Sequence, residues 1–156
     1  SNDSENLYYS RIPFDNNIYF YVMIPDFKLS TEKARAVLPK EYKVSDLISN
    51  ASKLGLLIDS FHRKNYDDLR FLLDDKVHQP YRFSLINNSE DIFNYSEHGA
   101  PGEYISGAGP TLISLNYKND GFFSAMKKEL ENLPDKWSLE MKKICTRGAE
   151  TEDITE

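Results

Sequence analysis

The chain has 156 residues, a length that suits one domain or one part of a larger protein. Hydrophobic residues make up 40% and charged residues 28%, with 9 Phe and 10 Tyr, which supplies a real core and excludes a collagen-like or disordered chain. A formal charge of −6 disfavours nucleic acid as a partner and no apolar run approaches the roughly 20 residues of a membrane span, while a few arginines in a cleft still admit a small anion.

Residues 1–17 read as an irregular leading segment. Ile18 to Ile24 is a dense β-branched and aromatic run that stops at Pro25, the pattern of a strand buried on both faces. Ser30 is placed to cap a short helix that ends at Leu38, before Pro39. Val44 to Arg63 is the clearest helix, with Ser45 as N-cap and Leu47, Ile48, Ala51, Leu54, Ile58 and Phe61 forming one apolar face. Gly55 in its middle marks a close helix–helix or backbone contact.

Tyr66 to Val77 reads as another helix, with Asp67 and Asp68 at its start, Leu69, Leu72 and Leu73 inward, and Pro80 ending it. Asp74 and Asp75 line its wet face. Leu85 to His98 is helical after an irregular start, with Gly99 as the C′ residue. Glu103 to Ser106, a glycine-rich turn and Thr111 to Tyr117 make a hairpin. Phe122 to Leu133 is an amphipathic helix ended by Pro134, and Trp137 to Cys145 is a last strand with Trp137, Leu139 and Met141 on one side. The polar tail 146–156 is expected to fray.

This order predicts an α+β fold, an antiparallel sheet of about four strands with helices packed on one face. There is no internal repeat or interdomain linker. Cys145, the one cysteine, has no disulfide partner within the chain and reads as a buried thiol; no Cys/His cluster has zinc spacing. Reducing cytoplasm is the expected compartment. A chain that opens on Ser1 without a signal pattern is expected to be a segment of a longer one.

Three segments bear chemistry. In Ser106-Gly107-Ala108-Gly109-Pro110-Thr111, small residues allow a sharp bend and close approach to a ligand, or serve only as a hairpin connector. No Gly-Lys-Ser/Thr follows, so it is not a Walker loop. In His78-Gln79-Pro80-Tyr81-Arg82, Arg82 offers a planar fork for a carboxylate or phosphate, or is a surface arginine beside a helix-ending histidine. Arg35, in Ala34-Arg35-Ala36-Val37-Leu38-Pro39, stands among small and apolar neighbours or simply on a solvated helix. His62 and His98 read as solvated residues at helix ends.

Taken together and in this order, the Ser30–Pro39, His78–Arg82 and Ser106–Thr111 segments resemble the C-terminal half of homoserine kinases, within the GHMP small-molecule kinase superfamily. The glycine loop alone resembles that superfamily's third motif; the other two segments point to homoserine kinases. The resemblance implies a ferredoxin-like GHMP C-terminal domain over 18–148 and a flexible tail over 149–156. It also implies an ATP-binding domain ahead of this one, whose Pro-x-x-x-Gly-Leu-Gly-Ser-Ser-Ala phosphate loop is not found in this chain.

By the same resemblance, the whole enzyme would use ATP and magnesium to phosphorylate the hydroxyl of L-homoserine in threonine biosynthesis. None of these cofactors is expected on this half, which would be inactive alone. Arg35 and Arg82 would clamp the substrate carboxylate and His78 would help position it. Ser106, Gly107, Ala108, Gly109 and Thr111 would form the loop that closes the pocket floor against the missing domain. Other readings are another GHMP kinase or a stand-alone amino-acid-binding module. The apolar face left by the missing domain is also compatible with a homodimer.

Overall fold

The computed structural model describes residues 2–3, 6–97 and 99–146. Residues 1, 4, 5 and 98 and the tail from 147 lie outside them, as do the expectations for His98 and for a flexible tail. In the leading segment, Asn2–Asp3 and Asn6–Leu7 form a two-residue antiparallel ladder.

Ile18–Pro25 forms β1, Gly102–Ile105 β2, Leu112–Tyr117 β3 and Trp137–Lys142 β4. They make one sheet in the order β2-β3-β1-β4, with every neighbouring pair antiparallel. Strands β1 and β2 therefore run parallel with β3 between them, and the chain must cross over from one to the other. The helices supply that crossover: α1 Thr31–Ala36, α2 Val44–Arg63, α3 Leu69–Leu73, α4 Gln79–Arg82 and α5 Ser89–Glu97. A second crossover, α6 at Asp120–Glu131, joins β3 to β4. This is the expected α+β sheet with a ferredoxin-like strand order.

The period-2 alternation of β1 feeds two clusters. Tyr21 and Met23 share the main core with Leu112, Ile92 of α5, and Phe122, Met126 and Leu130 of α6. Thus α5 and α6 cover one sheet face, as expected. Ile18 and Phe20 point the other way. They pack with Leu115, Tyr66, Leu69, Leu57 and Phe61, so the end of α2 and α3 also cover part of the opposite face.

Several local expectations change. The N-cap of α2 is Lys43, with no side-chain cap bond, rather than Ser45. The first part of the apolar stripe of α2 does not face the domain, whereas Phe61 at its end packs in the second cluster. Ile48 is 60% and Leu54 58% exposed, and Leu47 is exposed as well, whereas Lys53 is only 5% exposed. The helix docks instead through the adjacent face of Asn50, Lys53, Leu57 and Ser60, because Lys53 finds Asp74 and Asn50 finds Asp75. Gly55 makes no close contact within this chain; nothing lies within 4 Å of where its Cβ would be.

The helix predicted over 66–77 is the single turn and a half of α3. It stops because Asp74 pairs with Lys53 and Asp75 turns to take backbone amides further on, a local alternative to continued helix. Pro80 lies in the first turn of α4, where its missing N–H is no loss, so it opens a helix instead of ending one. A 3-10 turn, Phe83–Leu85, precedes α5, and the expected helix over 85–98 is confined to the latter. Strand β4 ends at Lys142, so Cys145 lies beyond it and is exposed rather than buried. No helix of the described residues is long and apolar enough to cross a membrane.

Candidate functional site

Three segments far apart in sequence meet at Arg82. Its Nε donates to the carbonyl of Ala34 in α1 at 3.1 Å, and its Nη1 donates to the carbonyl of Gly107 in the glycine loop at 2.9 Å. Nη1 also lies 3.4 Å from Nδ1 of His78, one helical turn earlier. The same Nδ1 lies 3.7 Å from Oδ2 of Asp75, so the imidazole stands between the guanidinium and a carboxylate. The guanidinium is thus a strut between α1, α4 and the loop, and Nη2 is the nitrogen left over for a ligand.

Helix α1 reaches this strut because Ser30 caps it, its hydroxyl accepting from the Lys33 amide at 3.1 Å, and because Ala34 is fully buried beneath it. Arg35 is the residue after the bonded carbonyl. It is exposed and has no ion pair among the described residues. The structure therefore brings Arg82, His78 and Gly107 into contact. It places Arg35 on the neighbouring helix without joining it to them.

The loop turns tightly. Ser106 N–H donates to the Thr111 carbonyl at 2.9 Å and Gly109 N–H to the Ser106 carbonyl at 3.0 Å. Gly107 and Gly109 both have positive φ, +58° and +86°, which glycine adopts without steric cost. They serve different ends. A Cβ on Gly109 would lie 2.9 Å from Ile86 Cδ1, so that glycine seats the loop on the core. A Cβ on Gly107 would meet nothing within 4 Å, so that glycine stands on the open rim. Ala108 and Thr111 are half-buried between them and β3.

The segment carrying His78 and Arg82 is held by Asp75, a residue the sequence reading had put on a wet helix face. Its carboxylate accepts from the amides of Val77 at 3.1 Å, His78 at 2.7 Å and Gln79 at 2.6 Å, and from the Asn50 side chain. Burial pushes the Asp75 carboxyl up, but the bonds from Gln79, His78, Asn50 and Val77 outweigh it and hold the group below its ordinary value. Asp74 behaves alike: burial raises it, and its bonds with Lys53 and Lys76 lower it further. Gln79 completes the anchoring. Its amide donates to the Leu73 carbonyl at 3.1 Å, and its oxygen accepts from the outward-facing Ile105 N–H of the edge strand β2 at 2.6 Å.

Sequence reasoning missed Asp75, Asn50 and Gln79. Asp75 stands three residues ahead of the N-cap His78, outside the position at which a capping aspartate is looked for. Asn50 gives no local sign, since its partners are 25 and 26 residues away, and neither does the Gln79 bond to Ile105, 26 residues on.

A cleft of about 270 Å³ lies beside this network, lined among others by Asn50, Lys53, Asp74, Asp75, His78 and Gln79. His78 is shared between cleft and strut. Neither Arg35 nor Arg82 lines this cleft; Arg82 meets it through His78, and a planar guanidinium is a group suited to a carboxylate. No phosphate-cradling glycine loop followed by Lys and Ser or Thr occurs. Among the described residues, no group of three or more His, Cys, Asp or Glu gathers to hold a metal ion.

No protein-family model matches the chain. The sequence is 44% identical over 139 residues to a protein named homoserine kinase from Clostridium acetobutylicum, a match covering 88% of this chain and 47% of that protein. It is 42% identical over 137 residues to the protein of the same name from Clostridium kluyveri, covering 86% and 46%. The crystal structure of homoserine kinase from Cytophaga hutchinsonii superposes with a TM-score of 0.80 at 23% identity, covering 86% of this chain and 44% of that one, which establishes the fold. The chain spans about half the length of the curated relatives it matches. Over that span it is a relative of the homoserine kinases, and the resemblance read from its motifs holds.

Proposed function

We propose that this chain, a homoserine kinase relative over about half the length of those proteins, is their C-terminal, substrate-binding half. The whole enzyme would transfer the γ-phosphoryl group of ATP to the side-chain hydroxyl of L-homoserine, a step of threonine biosynthesis in the cytoplasm. ATP and magnesium would belong to the other half, and this half alone would be inactive.

One observation carries the reading: a single guanidinium, Arg82, ties the Ala34 carbonyl, the Gly107 carbonyl and His78 together. Phosphoryl transfer depends on positioning, since little covalent chemistry falls to the protein. Homoserine carries its carboxylate at one end and its reacting hydroxyl at the other. Fixing the carboxylate therefore fixes the reach of the hydroxyl. Arg82 would offer Nη2 to the carboxylate, Arg35 a second charge from α1, and His78 its imidazole. Each charge-assisted bond would contribute about 1.5–3 kcal/mol. The glycine loop would floor the pocket, with Gly107 open to a close approach.

Arg82→Ala in the full-length enzyme is expected to raise KM for homoserine strongly and KM for ATP little. Equal effects on both substrates would contradict the clamp.

A further inference from the structure

Helix α4, which carries Arg82, is joined to the edge strand β2 and its loop at two levels. At the tip, Arg82 Nη1 donates to the Gly107 carbonyl at 2.9 Å. At the base, Gln79 Oε1 accepts from the Ile105 N–H at 2.6 Å, one residue before Ser106 opens the loop. Arg82 is half-buried, whereas Gln79 is buried, so little water can replace the lower bond. Strand β2 pairs only with β3, so no other strand takes the Ile105 N–H. The partners also fix which end of the Gln79 amide does what. The Leu73 carbonyl can only accept and takes the Nε2 hydrogen at 3.1 Å; the Ile105 N–H can only donate and takes Oε1.

We infer that Gln79 is a positioning residue for homoserine, acting through Arg82, and that its oxygen rather than its NH₂ group carries this role. The inference rests on the function proposed above and adds the residue that sets the clamp against the loop. Arg82 stands three residues beyond Gln79, less than one helical turn, so a shift of α4 at Gln79 passes directly to the guanidinium. That guanidinium must reach two carbonyls on different elements, Ala34 in α1 and Gly107 in the loop. With α4 moved off β2, the fork cannot keep both, and Nη2 turns with it. A misplacement of about 1 Å in a seated substrate can cost about hundredfold in rate. The NH₂ end meets the close of α3, which carries no residue of the clamp, and its bond serves stability alone.

The test compares two variants of the full-length enzyme by steady-state kinetics and thermal unfolding. Gln79→Met keeps the length and removes both side-chain bonds. Gln79→Glu keeps an oxygen for the Ile105 amide and loses the NH₂ offered to Leu73. Both should melt below wild type. Gln79→Met should raise homoserine KM about tenfold or more, with ATP KM held within about twofold. Gln79→Glu should bring homoserine KM back to within about threefold of wild type while its melting temperature stays low. A role in stability alone moves melting and not KM, so an unchanged homoserine KM in Gln79→Met overturns the inference. Equal rises in both variants, or a rise in ATP KM as large as that in homoserine KM, overturn it too, because the oxygen is then not what positions the clamp. Gln79→Ala gives the same reading should Gln79→Met fail to fold. The result is separable from the function itself. A raised homoserine KM in Arg82→Ala with an unchanged one in Gln79→Met removes the positioning role alone, and an unchanged KM in Arg82→Ala removes the substrate clamp whatever Gln79 does.

Discussion

Asp75→Asn tests how the segment bearing His78 and Arg82 is held. In the wild type, Oδ2 accepts from the His78 and Gln79 amides at 2.7 and 2.6 Å, and Oδ1 accepts from the Val77 amide at 3.1 Å and from Asn50. Asparagine keeps the shape, loses the charge and retains one oxygen, so whichever way it turns, two donors face its NH₂ group. Hydrogen bonds to a charged acceptor contribute about 1.5–3 kcal/mol each, and water reaches the first turn of α4, so the net loss is about 2–3 kcal/mol. At about 2–4 °C per kcal/mol for a chain of this size, Tm falls by about 4–12 °C at neutral pH.

The pH dependence of this loss has a definite sign. The folded-state value of Asp75 is lowered, because the bonds it accepts outweigh its burial. Its contribution is therefore complete above the unfolded carboxylate value of about 3.9 and is lost as pH falls through the lower folded value. The Tm gap between wild type and variant should be widest near neutrality and narrow as pH falls below about 3.9. Thermal unfolding followed by circular dichroism across that range checks this. A variant melting within about 1 °C of wild type at neutral pH, or a gap that persists in acid, refutes the reasoning.

The two loop glycines should respond differently to alanine. Gly109→Ala, with φ +86° and a side chain 2.9 Å away, should lose about 2–4 kcal/mol in urea unfolding, and Gly107→Ala, in open space, about 1 kcal/mol; equal losses would deny that the core sets the loop. Arg82→Lys should not restore homoserine KM in the full-length enzyme, since one ammonium cannot bridge the Ala34 and Gly107 carbonyls as the fork does; wild-type KM in that variant contradicts the strut. Lys53→Ala should cost about 1–3 kcal/mol and Lys53→Met less, because Lys76 still pairs with the half-exposed Asp74 while the methionine fills the space under α2; the opposite ranking by denaturation would show that the charge dominates. In this chain, Cys145 should react with a thiol reagent under native conditions as fast as in urea, and strong protection would place it in a core after all.

Elements whose cause lies within a few neighbouring residues were legible in the letters alone. The β-branched run at Ile18 reads as a strand from its own residues, the cap at Ser30 starts α1, and the twenty residues of α2 begin and end close to where the apolar spacing begins and ends. The residue types that meet at Arg82 were legible as well, as three short segments of unusual composition. The rest depended on partners far along the chain. An apolar stripe says that a helix face is buried, but not against what. Lys53 and Asn50 find Asp74 and Asp75 more than 20 residues later, and those bonds turn the polar side of α2 inward and leave the first part of the stripe outside. The same bonds cut α3 short and make Asp75 the anchor of α4. Burial and hydrogen bonding between distant residues are properties of the assembled chain, and no local period or propensity encodes them.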